Sequence, residues 1–151
     1  MNSEEEWLQL VLKMNDRIKD KLDELNRLTN ELEEILLEDL EVYLEDKKSR
    51  AACERYFEKI IECVVSLAFK IVQDRKLEVP DDDKTVFETL RKHGFIDKVI
   101  AEKLKNAKGM RNILAHEYGK VDDTLIFEAV HSNIIPDVEE FIKQIKKRLV
   151  K

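Results

Sequence analysis

The residues best suited to chemistry lie close together in the last third of the chain. Arg111, His116 and Tyr118 fall within one short stretch, and Asn112 comes directly after the arginine. An arginine offers a permanently charged fork for phosphate oxygens, and a histidine can exchange a proton near neutral pH. A tyrosine adds a hydroxyl that can accept a transferred group. This combination suits a phosphodiester as the reacting group.

The pattern Arg-x4-His-x-Tyr resembles the signature of the HEPN superfamily, and within it that of the HepT toxins, which pair with a minimal nucleotidyltransferase antitoxin. Arg111, His116 and Tyr118 match this signature residue by residue, and Asn112 stands where the family has a polar residue. The resemblance covers the chain from roughly residue 45 to its end. It implies a HEPN-like fold and a metal-independent endoribonuclease toxin that forms a homodimer and uses no cofactor.

Cleavage of RNA needs no metal, because the 2′-hydroxyl can attack the adjacent phosphate. We expect His116 to be the general base or acid and Arg111 to stabilise the extra charge on phosphorus. Asn112 is a supporting residue that orients the imidazole or contacts the phosphate. The sequence contains no dense carboxylate cluster, Cys-x-x-Cys pair or His-Glu-x-x-His segment, which agrees with a metal-free site.

Tyr118 suggests how such a nuclease would be controlled. In HepT systems the partner nucleotidyltransferase transfers AMP to the motif tyrosine, so the resemblance implies AMPylation of Tyr118 by a cognate antitoxin. The attached phosphate would occupy the Arg111 fork that RNA needs. Two alternatives remain: a non-catalytic partner that holds nucleotide or RNA for the transferase, and a purely structural helical adaptor.

The spacing inside the motif raises a geometric question. A regular helix advances about 100° per residue, so Arg111 and Tyr118 fall nearly on one line, whereas His116 lies roughly 140° from Arg111. Three arrangements would bring arginine and histidine together: unwinding of the helix before Gly119, a bent arginine side chain, or a site shared by two subunits. We favour the cleft between two subunits, as the resemblance also implies.

Composition predicts a single all-α domain over residues 1–151. The chain is 43% hydrophobic and 40% charged, which excludes both a membrane protein and a disordered chain. Three glycines and two prolines leave few turns, so few and long helices are expected. No signal peptide and no apolar run of about 20 residues is evident, and the expected location is the cytoplasm, away from membranes.

Apolar residues at helical spacing predict an up-and-down bundle of about five helices, two of them long and antiparallel. The first long helix follows Ser3 and is broken near Asn30. The second begins at Asp46 and ends before Pro80. Stripes of this length carry more apolar surface than a monomer needs, which also favours a dimer.

The second half of the chain predicts three further helices. A short one is closed by Gly94 in the left-handed conformation, and the next carries the motif. Gly109 inside that helix either allows close approach of another helix or marks a kink. The last helix starts at Asp122 or Asp123 with an apolar face beginning at Leu125, and Pro136 bends or restarts it.

A net charge of −6 opposes RNA binding by the surface as a whole, so a nuclease requires a local basic patch. The candidates around the motif are Lys103, Lys105, Lys108, Arg111 and Lys120. Solvated helix faces often carry similar charges, so a structural interpretation of this patch stays open.

The other chemically versatile side chains have structural interpretations. Histidines outside the motif are expected as cap or surface residues, tyrosines outside it as packing residues, and both cysteines as core thiols: His93, His131, Tyr43, Tyr56, Cys53 and Cys63. The two cysteines lie about 15 Å apart on one predicted helix and cannot pair with each other there.

Overall fold

The computed structural model describes residues 3–13, 15–116 and 122–150, with the backbone alone at residues 10–13, 115 and 116. Within these ranges the chain is all-α, as predicted. The helices are α1 Ser3–Lys13, α2 Asp16–Ile35, α3 Leu40–Glu45, α4 Lys47–Asp74, α5 Thr85–Lys92, α6 Lys98–His116, α7 Asp123–Glu128 and α8 Ile134–Val150, with a π-helical turn at Ala129–Asn133. None of the helices in the described ranges is long and apolar enough to cross a membrane.

The two long helices α2 and α4 lie side by side and antiparallel, which confirms the predicted pair. Asn15, just before α2, lies 3.4 Å from Asp74 at the far end of α4. Near the opposite end, the Tyr56 hydroxyl donates to Glu31 at 3.0 Å. Their facing apolar stripes are fully buried: Ile18, Leu22, Leu25 and Leu32 from α2, and Ile60, Cys63, Leu67 and Ile71 from α4. The central parts of the two apolar stripes therefore form the core between these helices.

Short polar side chains set the helix starts. Asp46 accepts hydrogen bonds from two backbone N–H groups in the first turn of α4, and Asp122 does the same for α7. Asn15 caps α2, accepting from the N–H of Arg17 at 2.8 Å. A cap of this kind contributes about 1 kcal/mol. The first long segment therefore breaks at Asn15, and the predicted break near Asn30 is wrong because Asn30 lies inside α2.

Two backbone predictions near helix ends are confirmed. Gly94 has a φ of 79° and directly follows the end of α5. Pro136 lies in the first turn of α8, directly after the π-helical turn. A proline donates no N–H, and its ring crowds the carbonyl four residues earlier, here that of Ser132 within the π-helical turn. The last helix therefore restarts at this point.

Helix α6 carries Arg111, Asn112 and His116 of the motif and packs against α4, α5 and α8. Its start is fixed by Asp97, whose carboxylate accepts from the N–H of Ile100 at 2.9 Å. Asp97 also exchanges two hydrogen bonds with Gln144 of α8, at 2.7 and 2.9 Å. With one end anchored in this way, the opposite end presents Arg111 and Asn112 beside α4 and the loop before α5.

Candidate active site

Arg111 turns its guanidinium toward α4. Its Nη2 donates to Oε1 of Glu62 at 2.5 Å, and the arginine side chain is 20% exposed. Its Nε is buried and has no hydrogen-bond partner in the described part of the chain. A buried donor left unpaired costs about 1–3 kcal/mol. An anion would supply the missing acceptor only after a local shift that uncovers Nε.

A groove of about 530 Å³ opens next to Arg111, between α6 and the loop that precedes α5. We call it the cationic groove; its lining residues are Asp82, Asp83, Lys84, Lys108, Arg111 and Asn112. Asn112 is half-buried, and its side-chain amide forms no hydrogen bond with the described residues. Arg111 and Asn112 therefore line one cavity, with donors available in it.

The other two motif residues are placed less completely. His116 is the last residue of α6, but its side chain is outside the described part, and Tyr118 lies outside the described residues altogether. The backbone stays α-helical from Arg111 to His116, so no unwinding occurs between them. The two positions remain roughly 140° apart around the helix axis. A bent arginine or a site shared by two subunits are the arrangements that this geometry leaves.

The basic patch expected around the motif is largely neutralised within the chain. Its described lysines all lie in ion pairs: Lys103 with Asp137 at 3.4 Å, Lys105 with Glu88 at 3.4 Å, and Lys108 with Asp83 at 3.2 Å. Lys108 is also buried, with 6% of its surface exposed. Lys120 lies outside the described residues. These three lysines therefore do not form a patch of unpaired positive charge.

Sequence reasoning missed three residues around Arg111. Glu62 comes from α4, 49 positions earlier in the chain, and no local pattern links it to the arginine. Asp83 and Lys84 belong to a segment that the sequence marks only as a loop. The Lys84 ammonium lies 3.6 Å from the position that a Cβ would take at Gly109. It therefore reaches across to α6, within one helical turn of Arg111.

The histidines outside the motif have the structural roles expected of them. His93 is the C-cap residue of α5, and its Nε2 lies 2.8 Å from a carboxylate oxygen of Glu78. The backbone N–H of Glu78 itself, together with His93, lowers the pKa of that carboxyl to about 2. The Nε2 of His131 lies 3.1 Å from Glu38, and its ring stacks on Phe127 at 5.0 Å.

The remaining tyrosines and both cysteines also match their structural interpretation. Tyr43 is fully buried, and Tyr56 packs partly buried against the core. Cys53 and Cys63 are buried and unpaired. Burial raises the pKa of the Cys63 thiol to about 12, and burial also raises that of Cys53. Neither thiol is available as a nucleophile near neutral pH.

Comparison with known proteins agrees with this fold. The family described as Ribonuclease HepT-like matches residues 18–145. An Archaeoglobus fulgidus protein named "Putative RNase" is 34% identical over 92 residues, covering 57% of this chain and 69% of that protein. The mRNA nuclease HepT of Shewanella oneidensis is 23% identical over 133 residues, 88% of this chain and 98% of the relative.

Among solved structures, the chain is similar to a tri-AMPylated HEPN toxin of Shewanella oneidensis in complex with MNT antitoxin. The two superpose with a TM-score of 0.81 at 23% sequence identity, over 89% of this chain and 99% of the other. At this level of identity the likeness concerns the fold, and it shows the HEPN-like architecture that the sequence predicts.

Proposed function

Since the chain belongs to the Ribonuclease HepT-like family, we propose that it is an endoribonuclease toxin that cuts RNA without a metal. The observation that carries the proposal is the state of Arg111. Glu62 fixes one end of its guanidinium, while the buried Nε faces no acceptor in the described part of the chain. A partly exposed guanidinium fixed in this way suits the charge that develops on phosphorus during phosphodiester cleavage. The two relatives named as an RNase and an mRNA nuclease support the same activity.

In the proposed reaction, the 2′-hydroxyl of the RNA attacks the adjacent phosphorus and the 5′-oxygen of the next nucleotide leaves. His116 takes the proton from the 2′-hydroxyl or delivers one to the leaving oxygen, and water makes the other proton transfer. Arg111 stabilises the additional negative charge on the phosphate oxygens, and Asn112 donates to the phosphate or orients the imidazole. The products are a 2′,3′-cyclic phosphate and a free 5′-hydroxyl, and no metal takes part.

We further propose a homodimer in which Arg111 of one subunit works with His116 of the other. An apolar groove of about 410 Å³ runs along α6 beside the motif, and includes Gly109, Met110 and Leu114. Two large apolar side chains stand exposed at its edges, Ile113 at 47% and Leu125 at 51%. Leu125 was expected on the core face of the last helix, so its exposure corrects that prediction. An exposed apolar surface of this kind is suited to contact with a second copy.

Control would come from a cognate minimal nucleotidyltransferase that AMPylates Tyr118. The tri-AMPylated state named for the Shewanella toxin and its complex with MNT antitoxin support this part of the proposal. AMP on Tyr118 would add phosphate close to the end of α6 and compete with RNA for Arg111. After incubation with the transferase and ATP, the mass of the chain should increase by AMP units and RNA cleavage should be abolished. The Tyr118→Phe variant should keep its mass and its cleavage activity.

The first experiment is RNA cleavage by the purified chain in the presence of EDTA. The wild-type protein is expected to cut RNA, and to leave RNA with 2′-O-methyl groups intact because the nucleophile is blocked. Arg111→Ala and His116→Ala should each lower the rate by about 100-fold or more. Arg55→Ala is the matched control, since Arg55 is an exposed arginine on α4.

Three outcomes would change the proposal. Loss of cleavage on addition of EDTA would overturn the metal-free mechanism. Equal rates for wild-type and both motif variants would show that the activity lies elsewhere. Binding of RNA without any cleavage would replace the nuclease by the alternative, a non-catalytic nucleotide- or RNA-binding partner of the transferase.

A further inference from the structure

The cationic groove extends beyond Arg111 and contains charges that the proposed cleavage reaction does not use. It is continuous with the arginine, because Arg111 and Asn112 form part of its wall. Lys84 and Lys108 contribute two further ammonium groups from opposite sides, one from the loop before α5 and one from α6 itself. Any chain of phosphates that reaches Arg111 therefore has a second cationic position within reach.

Lys108 is placed in an unusual way for a lysine. Only 6% of its surface is exposed, and its ammonium is compensated by Asp83 at 3.2 Å. Burying a charge is costly unless an opposite charge accompanies it. Asp83, in contrast, has 52% of its side chain exposed and lies on the loop before α5. The lysine is thus fixed in position, whereas its counter-ion lies at the solvent edge, where another anion can replace it.

Lys84 supplies a charge that Asp82 compensates only in part, at longer range than an ion pair. It is exposed, and none of the described residues forms an ion pair with it. Its ammonium lies over Gly109, two positions before Arg111 on the same helix. Asp82 also lines the groove, but both the N–H and the hydroxyl of Thr85 donate to it at 2.7 Å. That carboxylate is held by the start of α5, so Asp83 is the exchangeable acid of the groove.

We propose that the cationic groove binds a second phosphate of the RNA strand, next to the phosphate at Arg111. Lys84 and Lys108 are the cations of this subsite, and Asp83 is a built-in counter-ion that the phosphate displaces. The inference rests on the proposed nuclease function for the identity of its ligand. It also gives a way for a chain of net charge −6 to bind RNA. The acid Asp83 compensates Lys108 in the free protein, and an RNA phosphate takes the place of this carboxylate on binding.

The test measures binding separately from cleavage. The probe is a short, fluorescein-labelled, single-stranded 2′-O-methyl RNA, which lacks the nucleophile and stays intact, and affinity is followed by anisotropy over a series of salt concentrations. Lys84→Gln is expected to weaken binding about two- to fivefold, the range of an exposed charge pair. It should also reduce the slope of log affinity against log salt by about 0.7, the value for one phosphate contact on a single strand.

Asp83→Asn tests the counter-ion. Removing its charge should strengthen binding about two- to fivefold, because phosphate no longer competes with a carboxylate for Lys108. The matched controls are Lys98→Gln and Asp81→Asn. Lys98 is an exposed lysine about 15 Å along α6 from Lys108, and Asp81 is an exposed acid of the same loop outside the groove. Each control changes the net charge of the chain by the same amount as the variant it matches, and each should change the affinity for the probe far less.

The inference falls if Lys84→Gln leaves the salt slope unchanged or matches Lys98→Gln, or if the wild-type chain does not bind the probe. If Asp83→Asn destabilises the fold through the uncompensated Lys108, Lys84→Gln still decides the question, since Lys84 is exposed. Cleavage of unmodified RNA is assayed in parallel. Cleavage with an unchanged Lys84→Gln slope removes the subsite and keeps the nuclease, whereas a reduced slope without cleavage removes the nuclease and keeps the subsite.

Discussion

The contact with Glu62 fixes the direction of the Arg111 side chain. The Glu62 carboxylate also competes with an RNA phosphate for the guanidinium. The carboxylate holds Nη2 at 2.5 Å, while phosphate has to use the rest of the guanidinium. Glu62 does not touch the reacting atoms in the proposed mechanism, so it is a positioning residue. Its side chain is 44% exposed, and such a half-exposed pair contributes at most about 1 kcal/mol to stability.

Glu62→Gln should therefore separate the two Michaelis parameters of RNA cleavage. We expect KM to fall about two- to fivefold, because a negative charge beside the bound phosphate is removed. We expect kcat to fall about tenfold, because the guanidinium is less well fixed in the transition state. The measurement is steady-state cleavage with unfolding followed in parallel. Equal kcat for wild-type and Glu62→Gln would show that Arg111 needs no positioning partner.

The buried cysteines allow a prediction about reactivity. With a pKa of about 12, roughly one Cys63 thiol in 10⁴ is ionised at pH 8. A thiol reagent such as DTNB should therefore label neither Cys53 nor Cys63 in the folded protein, and both after unfolding in guanidinium. Rapid labelling of the native chain would contradict the burial of these side chains.

The same shift fixes a direction for the dependence of stability on pH. The pKa of Cys63 in the folded chain lies above the value of roughly 8.5 expected after unfolding. The contribution of the neutral Cys63 thiol to the free energy of unfolding is therefore fully present below about pH 8.5. It is lost as the pH rises toward about 12. Cys63→Ala should lessen the loss of unfolding free energy over this alkaline window.

At this scale the sequence identifies the motif residues but not their neighbours. Arg111 and Asn112 can be singled out because the signature is local in sequence. Glu62 and Asp83 cannot, because acids are frequent in this chain and only the packing of α4 and the loop before α5 against α6 selects them. The sequence left the basic patch open for the same reason, since nothing local shows that Lys108 is buried or that Asp83 is its partner.

At the scale of helices, signals that act within one turn were predicted well. Asp46, Asp122 and Gly94 stand where the structure places caps and helix ends, because capping depends on backbone groups a few residues away. The break at Asn15 was missed, and one was expected at Asn30. Both asparagines interrupt the same periodic apolar pattern, and it is the cap made by Asn15 that distinguishes them.

Gly109 was expected to permit close packing or to mark a kink, and α6 runs through it without interruption. A Cβ added there would meet only the flexible end of Lys84, at an ordinary contact distance of 3.6 Å. Gly109→Ala should therefore raise the free energy of unfolding by about 1 kcal/mol through helix propensity. Urea unfolding measures the change. A loss of stability instead would mean that another subunit packs closely against this glycine.

At the scale of the whole molecule, the all-α bundle follows from periodic apolar stripes, whereas the assembly cannot be read from them. The stripes of α2 and α4 are used up in the core of one chain, so their length does not itself call for a partner. Large apolar side chains are exposed at several places on the described surface, and two of them, Ile113 and Leu125, lie beside the motif. The surface proposed for the dimer is therefore visible only in the packed structure. It adjoins Arg111 and His116, the two residues proposed to act together across subunits.

Complementation between two inactive variants tests whether the site is shared. When Arg111→Ala and His116→Ala chains are mixed and allowed to exchange, half of the dimers are mixed. Each mixed dimer contains one site with both arginine and histidine intact if the two residues come from different subunits. We therefore expect the mixture to recover about a quarter of the wild-type rate of RNA cleavage.

A site within one subunit predicts the opposite result, because every mixed dimer then carries one damaged residue in each site and no activity returns. Ile113→Asp places a charge on the exposed apolar surface beside the motif. Introduced into both variants, it should separate the subunits and abolish complementation. Light scattering measures the separation. Val99→Asp is the matched control, since Val99 is 60% exposed on the same helix but lies outside that groove. Complementation that survives Ile113→Asp would place the subunit contact on another surface, whereas its absence in every mixture would return the reaction to a single chain and a bent Arg111.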